Sequence, residues 1–136
     1  MKVLQLIFLP LFCLPIIAKA QTHGHEQENI LKVISQYLRV TDYKDSSAIN
    51  KSFHPNAKLM SVTATGELKE MTQTEWWARL SRISNPVVRK SKVTVLDISG
   101  ITASVRVEFE TSTDIITLLK FDRGWRIVNK TLSVAL

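Results

Sequence analysis

Apolar positions along this chain fall into two periods. From Glu28 onward Ile30, Leu31, Ile34, Tyr37 and Leu38 recur three and four residues apart, the spacing of one face of an α-helix of about three turns. Late in the chain the period drops to two. Ile101, Ala103, Val105, Val107 and Phe109 alternate with Thr102, Ser104, Arg106, Glu108 and Glu110, as in a strand with one buried face.

Shorter signals fill the interval between these runs. The polar stretch Thr41–Ser46 ends the first helix, and Asp45 or Ser46 can cap a second, short one that buries Ala48, Ile49 and Phe53 before Pro55 stops it. Ala57–Thr63 has strand composition, and Ala64-Thr65-Gly66 turns it into a shorter strand around Leu68. Thr72 followed by Glu75 forms a capping box, which opens a third helix with Trp76, Trp77, Leu80 and Ile83 inward. Strands then follow at Val93–Leu96, Ile101–Phe109, Ile115–Phe121 and Trp125–Val134. Asp122-Arg123-Gly124 reads as a three-residue hairpin turn with its glycine at the position needing positive φ. Connections this tight make neighbouring strands antiparallel. The expected fold class is α+β, a curved antiparallel sheet packed against three helices drawn from the N-terminal half.

The N-terminal residues change the picture. Lys2, the apolar run Val3–Ile17 broken by Pro10 and Pro15, and Ala18-Lys19-Ala20 stand in the order of a secretory signal peptide. The expected organisation is a leader over residues 1–20, a loose polar tail over 21–27 and one domain over 28–136. The product is expected to be secreted or periplasmic, with no membrane attachment after cleavage. Cys13, the sole cysteine, follows Phe12 where a lipobox wants a small residue, so no lipid anchor is expected. The mature chain then has no thiol, and disulfides and cysteine catalysis drop out. Losing Lys2 and Lys19 takes the formal charge from +6 to +4, a solubility feature. The basic residues are scattered and no aromatic–basic sheet motif occurs, so no nucleic-acid partner is expected. His23 and His25 near the new terminus suit a square-planar copper or nickel ion, but an N-terminal Gln21 cyclises and removes the amine ligand. No metal or cofactor is expected.

The element order, with Phe53-His54-Pro55-Asn56-Ala57-Lys58-Leu59, Gly66-Glu67-Leu68 and Gly124-Trp125-Arg126-Ile127-Val128-Asn129-Lys130, resembles the nuclear-transport-factor-2-like superfamily. The closest likeness is to its branches called Putative lumazine-binding and SnoaL-like, over roughly Glu28–Val134. The resemblance implies a cone-shaped, cystatin-like fold with a pocket between helices and sheet, and homodimers that pair through the outer sheet face. It does not imply one function, because this fold hosts many.

Ketosteroid isomerase, the well-understood enzyme of the superfamily, needs a carboxylate base, a tyrosine and a protonated aspartic acid; its use of a neutral acid is a standard case of pKa tuning. Carried over by motif, the tyrosine falls on Tyr37, the base on Ser61 and the second acid on Thr117. Serine is no proton acceptor at neutral pH without a partner base, and threonine donates to an enolate more weakly than a carboxylic acid. No catalytic constellation is therefore expected. Extending strand parity from Val105, Val107 and Phe109 places Leu59, Ser61, Thr63, Thr117, Leu119, Ile127 and Asn129 inward as well. The expected pocket is Tyr37, His54, Ser61, Trp76, Trp77, Phe109, Thr117 and Asn129, suited to a small apolar or planar ligand. Arg106, Glu108, Glu110, Arg126 and Lys130 face outward in this scheme, on a solvated or dimer-forming surface. The alternatives are a SnoaL-like or isomerase-like enzyme working through His54 or Tyr37, and an interaction module whose pocket is filled by its own side chains.

Overall fold

A computed structural model describes the backbone of residues 16–134 and the side chains of residues 24–134. The expected leader falls mostly outside the described residues. Three helices pack on a curved six-stranded sheet. In chain order these are α1 (Ile16–Tyr43), a 3₁₀ turn (Ser46–Ala48) running into α2 (Ile49–Ser52), β1 (Phe53–Val62), β2 (Leu68–Thr72), α3 (Gln73–Leu80), β3 (Lys92–Ser99), β4 (Thr102–Glu108), β5 (Ser112–Phe121) and β6 (Gly124–Val134). Among the described residues no helix is long and apolar enough to cross a membrane.

The local rules that define the ends are visible in the geometry. Asp45 caps the 3₁₀ turn, taking the Ser47 amide at 3.0 Å. Both halves of the α3 capping box are made: Thr72 Oγ1 accepts from the Glu75 amide at 3.2 Å, and Glu75 Oε2 accepts from the Thr72 amide at 2.8 Å. Phe121 pairs directly with Gly124, so the last hairpin has a two-residue loop rather than the expected three, with Gly124 at φ 100° as the first residue of β6.

The strand order is β2-β1-β6-β5-β4-β3. Each consecutive strand pair joined by a tight turn is antiparallel, but β1 lies parallel to β6, so the sheet is mixed and not wholly antiparallel. A parallel pair needs a long crossover, and here most of the chain supplies it. The β1–β6 register breaks between Phe53 and Lys58, around Pro55, which has no amide to give to the ladder.

One layer of the molecule is α1 and α3, the other the concave face of the sheet. Ile30, Val33, Ile34 and Tyr37 from α1 meet Phe53, Leu59, Val105, Val107, Ile116, Leu118, Trp125 and Ile127, which form the core with their side chains buried. β4 follows its expected parity. β5 and β6 depart from it for different reasons: the β4–β5 register sets Ile116 opposite Val105 and so turns Ile116 and Leu118 inward, and β6 carries one extra residue, Val128, between Ile127 and Asn129. Such a bulge shifts the parity of everything beyond it. Leu118 faces inward opposite Ile127, Ile116 opposite Lys130, and Asp114 opposite Leu132. Thr117 and Asn129 pair with each other on the other face.

Gln21–Gln27, expected as a loose tail, is helical and continuous with the rest of α1. Glu26 pins it to the sheet end, accepting from Lys120 Nζ at 2.5 Å and from Trp125 Nε1 at 2.6 Å. These bonds, the lysine's first and the indole's second, hold the Glu26 carboxyl below the usual carboxylate range. A depressed folded pKa adds stability above the unfolded value, which is lost as pH falls through the folded one. Glu26→Gln should cost about 1–2 kcal/mol at neutral pH. The difference should shrink as pH falls below the usual carboxylate range and through the lowered folded pKa, where the parent carboxyl becomes protonated in both states. Urea unfolding of both proteins across that range checks it; a constant difference would mean the loss is steric.

Candidate functional site

Where α1, α3 and the open end of the sheet diverge, they leave a cavity of about 410 Å³. Tyr37, Thr41 and Lys44 line it from α1 and its end, Trp76 and Leu80 from α3, and Asp114, Lys130 and Leu132 from the sheet. The segment between α3 and β3 closes one side through Ile83, Asn85, Val87 and Arg89. Every second residue of that segment points the same way, as in an extended strap.

A buried ion pair sits at the floor. Asp114 and Lys130 are 2% and 7% exposed, and Lys130 Nζ donates to Asp114 Oδ1 at 2.8 Å. The other carboxylate oxygen, Oδ2, accepts a short hydrogen bond from the Tyr37 hydroxyl. Burial, and then the negative charge of Asp114 and that bond, push the Tyr37 phenol well above its usual range. Tyr37 is therefore neutral and its hydrogen is committed. Towards the cavity it offers an oxygen lone pair, which accepts, whereas Lys130 keeps N–H groups to donate. The Tyr37 ring stands edge-on to Phe53 at 5.9 Å and stacks near Trp76 at 6.2 Å, so an aromatic cluster fixes its position.

A second polar group forms the rim. Asp42, 4% exposed, accepts from Thr41 Oγ1 at 3.0 Å and from Arg89 Nε and Nη2 at 3.3 Å. The Arg89 guanidinium also covers the Phe109 ring at 3.9 Å, which ties the strap to both the helix and the sheet. Lys44 follows α1 with φ 56°, in the left-handed region that a helix-terminating glycine usually occupies, and its Nζ bonds the Thr41 carbonyl at 3.1 Å.

Of the residues expected to line the pocket, Tyr37 and Trp76 lie together on the cavity wall. Trp77, about 100° further round α3, is half-buried outside it. Ser61 keeps the face of Leu59 but sits towards the end of β1 opposite Lys69, beyond the cavity. Phe109 packs on the core beneath Arg89 and faces a shallow groove beside the strap. Thr117 is on the opposite face of the sheet because the β4–β5 register gives the inner face to Ile116 and Leu118, and Asn129 is there because of the bulge at Val128. His54 is carried by the irregular start of β1 to a separate depression of about 630 Å³, where its ring stacks on Phe121 at 4.9 Å. The expectation that Lys130 faces outward is reversed by the same bulge.

Asp114, Lys130, Lys44, Arg89 and Asp42 were missed by the sequence reading. A signal for Asp114 exists: a tight turn at Glu110-Thr111 would pair Val107 with Asp114 and Val105 with Ile116, as the β4–β5 register does.

The family model described as Putative lumazine-binding matches residues 25–133. The chain belongs to that family. A crystal structure of a nuclear-transport-factor-2-like protein of unknown function from Shewanella baltica OS155 superposes with TM-score 0.73 at 22% identity, covering 83% of this chain and 96% of that one. One from Methylobacillus flagellatus KT gives 0.70 at 24%, covering 82% and 94%. A relative from Novosphingobium aromaticivorans, described as having a cystatin-like fold, gives 0.63 at 16%, covering 91% of each chain. At these identities the likeness is one of fold. No curated protein matches the chain. Membership of the Putative lumazine-binding family agrees with an α+β cone that keeps a cavity between helix layer and sheet.

Proposed function

We propose that this member of the Putative lumazine-binding family is an exported domain that binds one small, planar, largely apolar molecule in the cavity between α1, α3 and the sheet. The observation that carries the reading is the cavity itself: about 410 Å³, walled by Trp76, Leu80, Val87 and Leu132, over a polar floor in which Tyr37 and Lys130 both bond Asp114. Its size lies in the range of small-ligand sites, and an apolar wall with few fixed polar groups is what orients such a ligand. Export is supported by the order of charge, apolar run and small residues in the leader. Pairing of two copies through the outer sheet face, which presents Arg106, Ile115 and Thr131, belongs to the same proposal.

The geometry favours binding over the two alternatives. An isomerase-like mechanism through Tyr37 requires a phenol free to donate to an enolate, and this one donates to Asp114. His54, stacked on Phe121, is in a different depression. A module with a filled pocket would leave no cavity of this size.

Lumazine, a flat bicyclic heterocycle, is the first ligand to try, since the family is described by it. Titration should quench the emission of Trp76, and native mass spectrometry should show one adduct per chain. Trp76→Leu should weaken binding about tenfold, the order of one lost aromatic stacking contact. No adduct from lumazine or any planar heterocycle tried would sink the reading.

A further inference from the structure

The cavity carries more positive than negative charge, and it is not spread evenly. Lys130 at the floor is neutralised by Asp114 at 2.8 Å. At the rim, Arg89 shares Asp42 with Thr41 through bonds of 3.3 Å, long for a guanidinium–carboxylate pair. Lys44 has no carboxylate in salt-bridge reach among the described residues; its ammonium is held by a helix-end carbonyl. Lys44 and Arg89 both line this rim of the cavity. Burial first and then the Arg89 charge push the Lys44 ammonium below its usual range, against the smaller opposing pull of Asp42.

The backbone supplies a second, independent observation. Lys44 is the only described non-glycine residue with positive φ. Glycine would hold this helix-terminating position without strain, and a side chain there is costly. Residues kept in such conformations against local preference concentrate where ligands are held. The strained residue is also the one whose unneutralised charge lines the cavity.

We infer that the ligand is a planar aromatic acid whose carboxylate lies between Lys44 and Arg89 at the rim, with its ring against Trp76 and Tyr37. This rests on the binding reading above and adds the charge and orientation of the ligand. At the inner end, Lys130 donates to a ring or carbonyl acceptor, and Tyr37 accepts from a ring N–H or C–H. Binding would supply a second anion to a rim that holds two cations and only the Asp42 carboxylate.

The test uses 2-naphthoate and its neutral counterpart 2-naphthamide, titrated into the full mature protein and followed by tryptophan emission and calorimetry. The parent should prefer the acid by about tenfold or more, the value of a charge-assisted hydrogen bond. The preference should shrink as salt is raised. Lys44→Gly should abolish most of it while leaving Tm unchanged or raised by about 3 °C, because the strained backbone relaxes. Lys44→Arg, which keeps the charge, should retain the preference. If the parent binds acid and amide equally, or Lys44→Gly still prefers the acid, the anion assignment is overturned and the cavity reading stands. If neither probe binds and lumazine leaves no adduct, both fall together.

Discussion

Replacing Lys130 with methionine should cost the fold about 3–5 kcal/mol, because it strands the Asp114 carboxylate in the interior with Tyr37 as its one remaining partner. Methionine matches the lysine stem in length and packs well beside Ile116 and Leu59, so the loss measures charge rather than volume. Chemical denaturation gives the value. The companion is the double variant Asp114→Asn with Lys130→Met, in which the asparagine oxygen still accepts from Tyr37 but no charge is buried. That protein should recover most of the loss, since uncharged replacements of a buried ion pair are often neutral or stabilising. Additive losses would show that the two side chains act independently and that the ion pair is not the organising element of the floor.

The next largest effect belongs to Phe53. Its ring is 1% exposed and touches both walls of the aromatic cluster, 5.9 Å from Tyr37 and 5.4 Å from Trp76. Phe53→Ala should cost about 3–5 kcal/mol, the transfer free energy of the ring plus the void left behind. It should also loosen the two rings that border the cavity, so affinity for a planar ligand should fall in protein that is still folded. Unfolding curves and titrations on the same preparation separate the two consequences. A stability loss with unchanged affinity would mean that Tyr37 and Trp76 are held from elsewhere.

Much of this architecture was legible along the chain, and the failures have identifiable causes. Ile30, Ile34 and Tyr37 declared the buried face of α1 through their spacing alone. Thr72 and Glu75 declared the start of α3, and Val105 and Val107 the inner face of β4. These are local rules, satisfied within a few residues. Gln21–Gln27 failed because it has no apolar stripe and includes Gly24; it is held in α1 through Glu26, whose partners Lys120 and Trp125 lie at the far end of the sequence. Parallel pairing of β1 with β6 was invisible for the same reason.

The site failed differently. Tyr37 and Trp76 were readable because helices keep strict phase over the distance needed. Thr117 was placed inward without the β4–β5 register, which gives that face to Ile116, and Asn129 was placed inward by counting in twos, a count broken by one residue at Val128. Asp114 lay just outside the apolar run that marked β5, and an acidic residue at a strand's start carries no apolar signal of its own. Its burial makes sense only beside Lys130 and Tyr37, which are assembled by three separate elements.

The extra residue in β6 has a consequence for how such domains diversify. Because the bulge at Val128 decides whether Asn129 or Lys130 meets the interior, pairing Val128 regularly in the ladder would exchange the ammonium for an amide at the cavity floor with no residue replaced. Ancestry can thus rewrite the recognition chemistry of the fold by gaining or losing a bulge, and relatives read by strand alternation alone would be assigned the wrong lining.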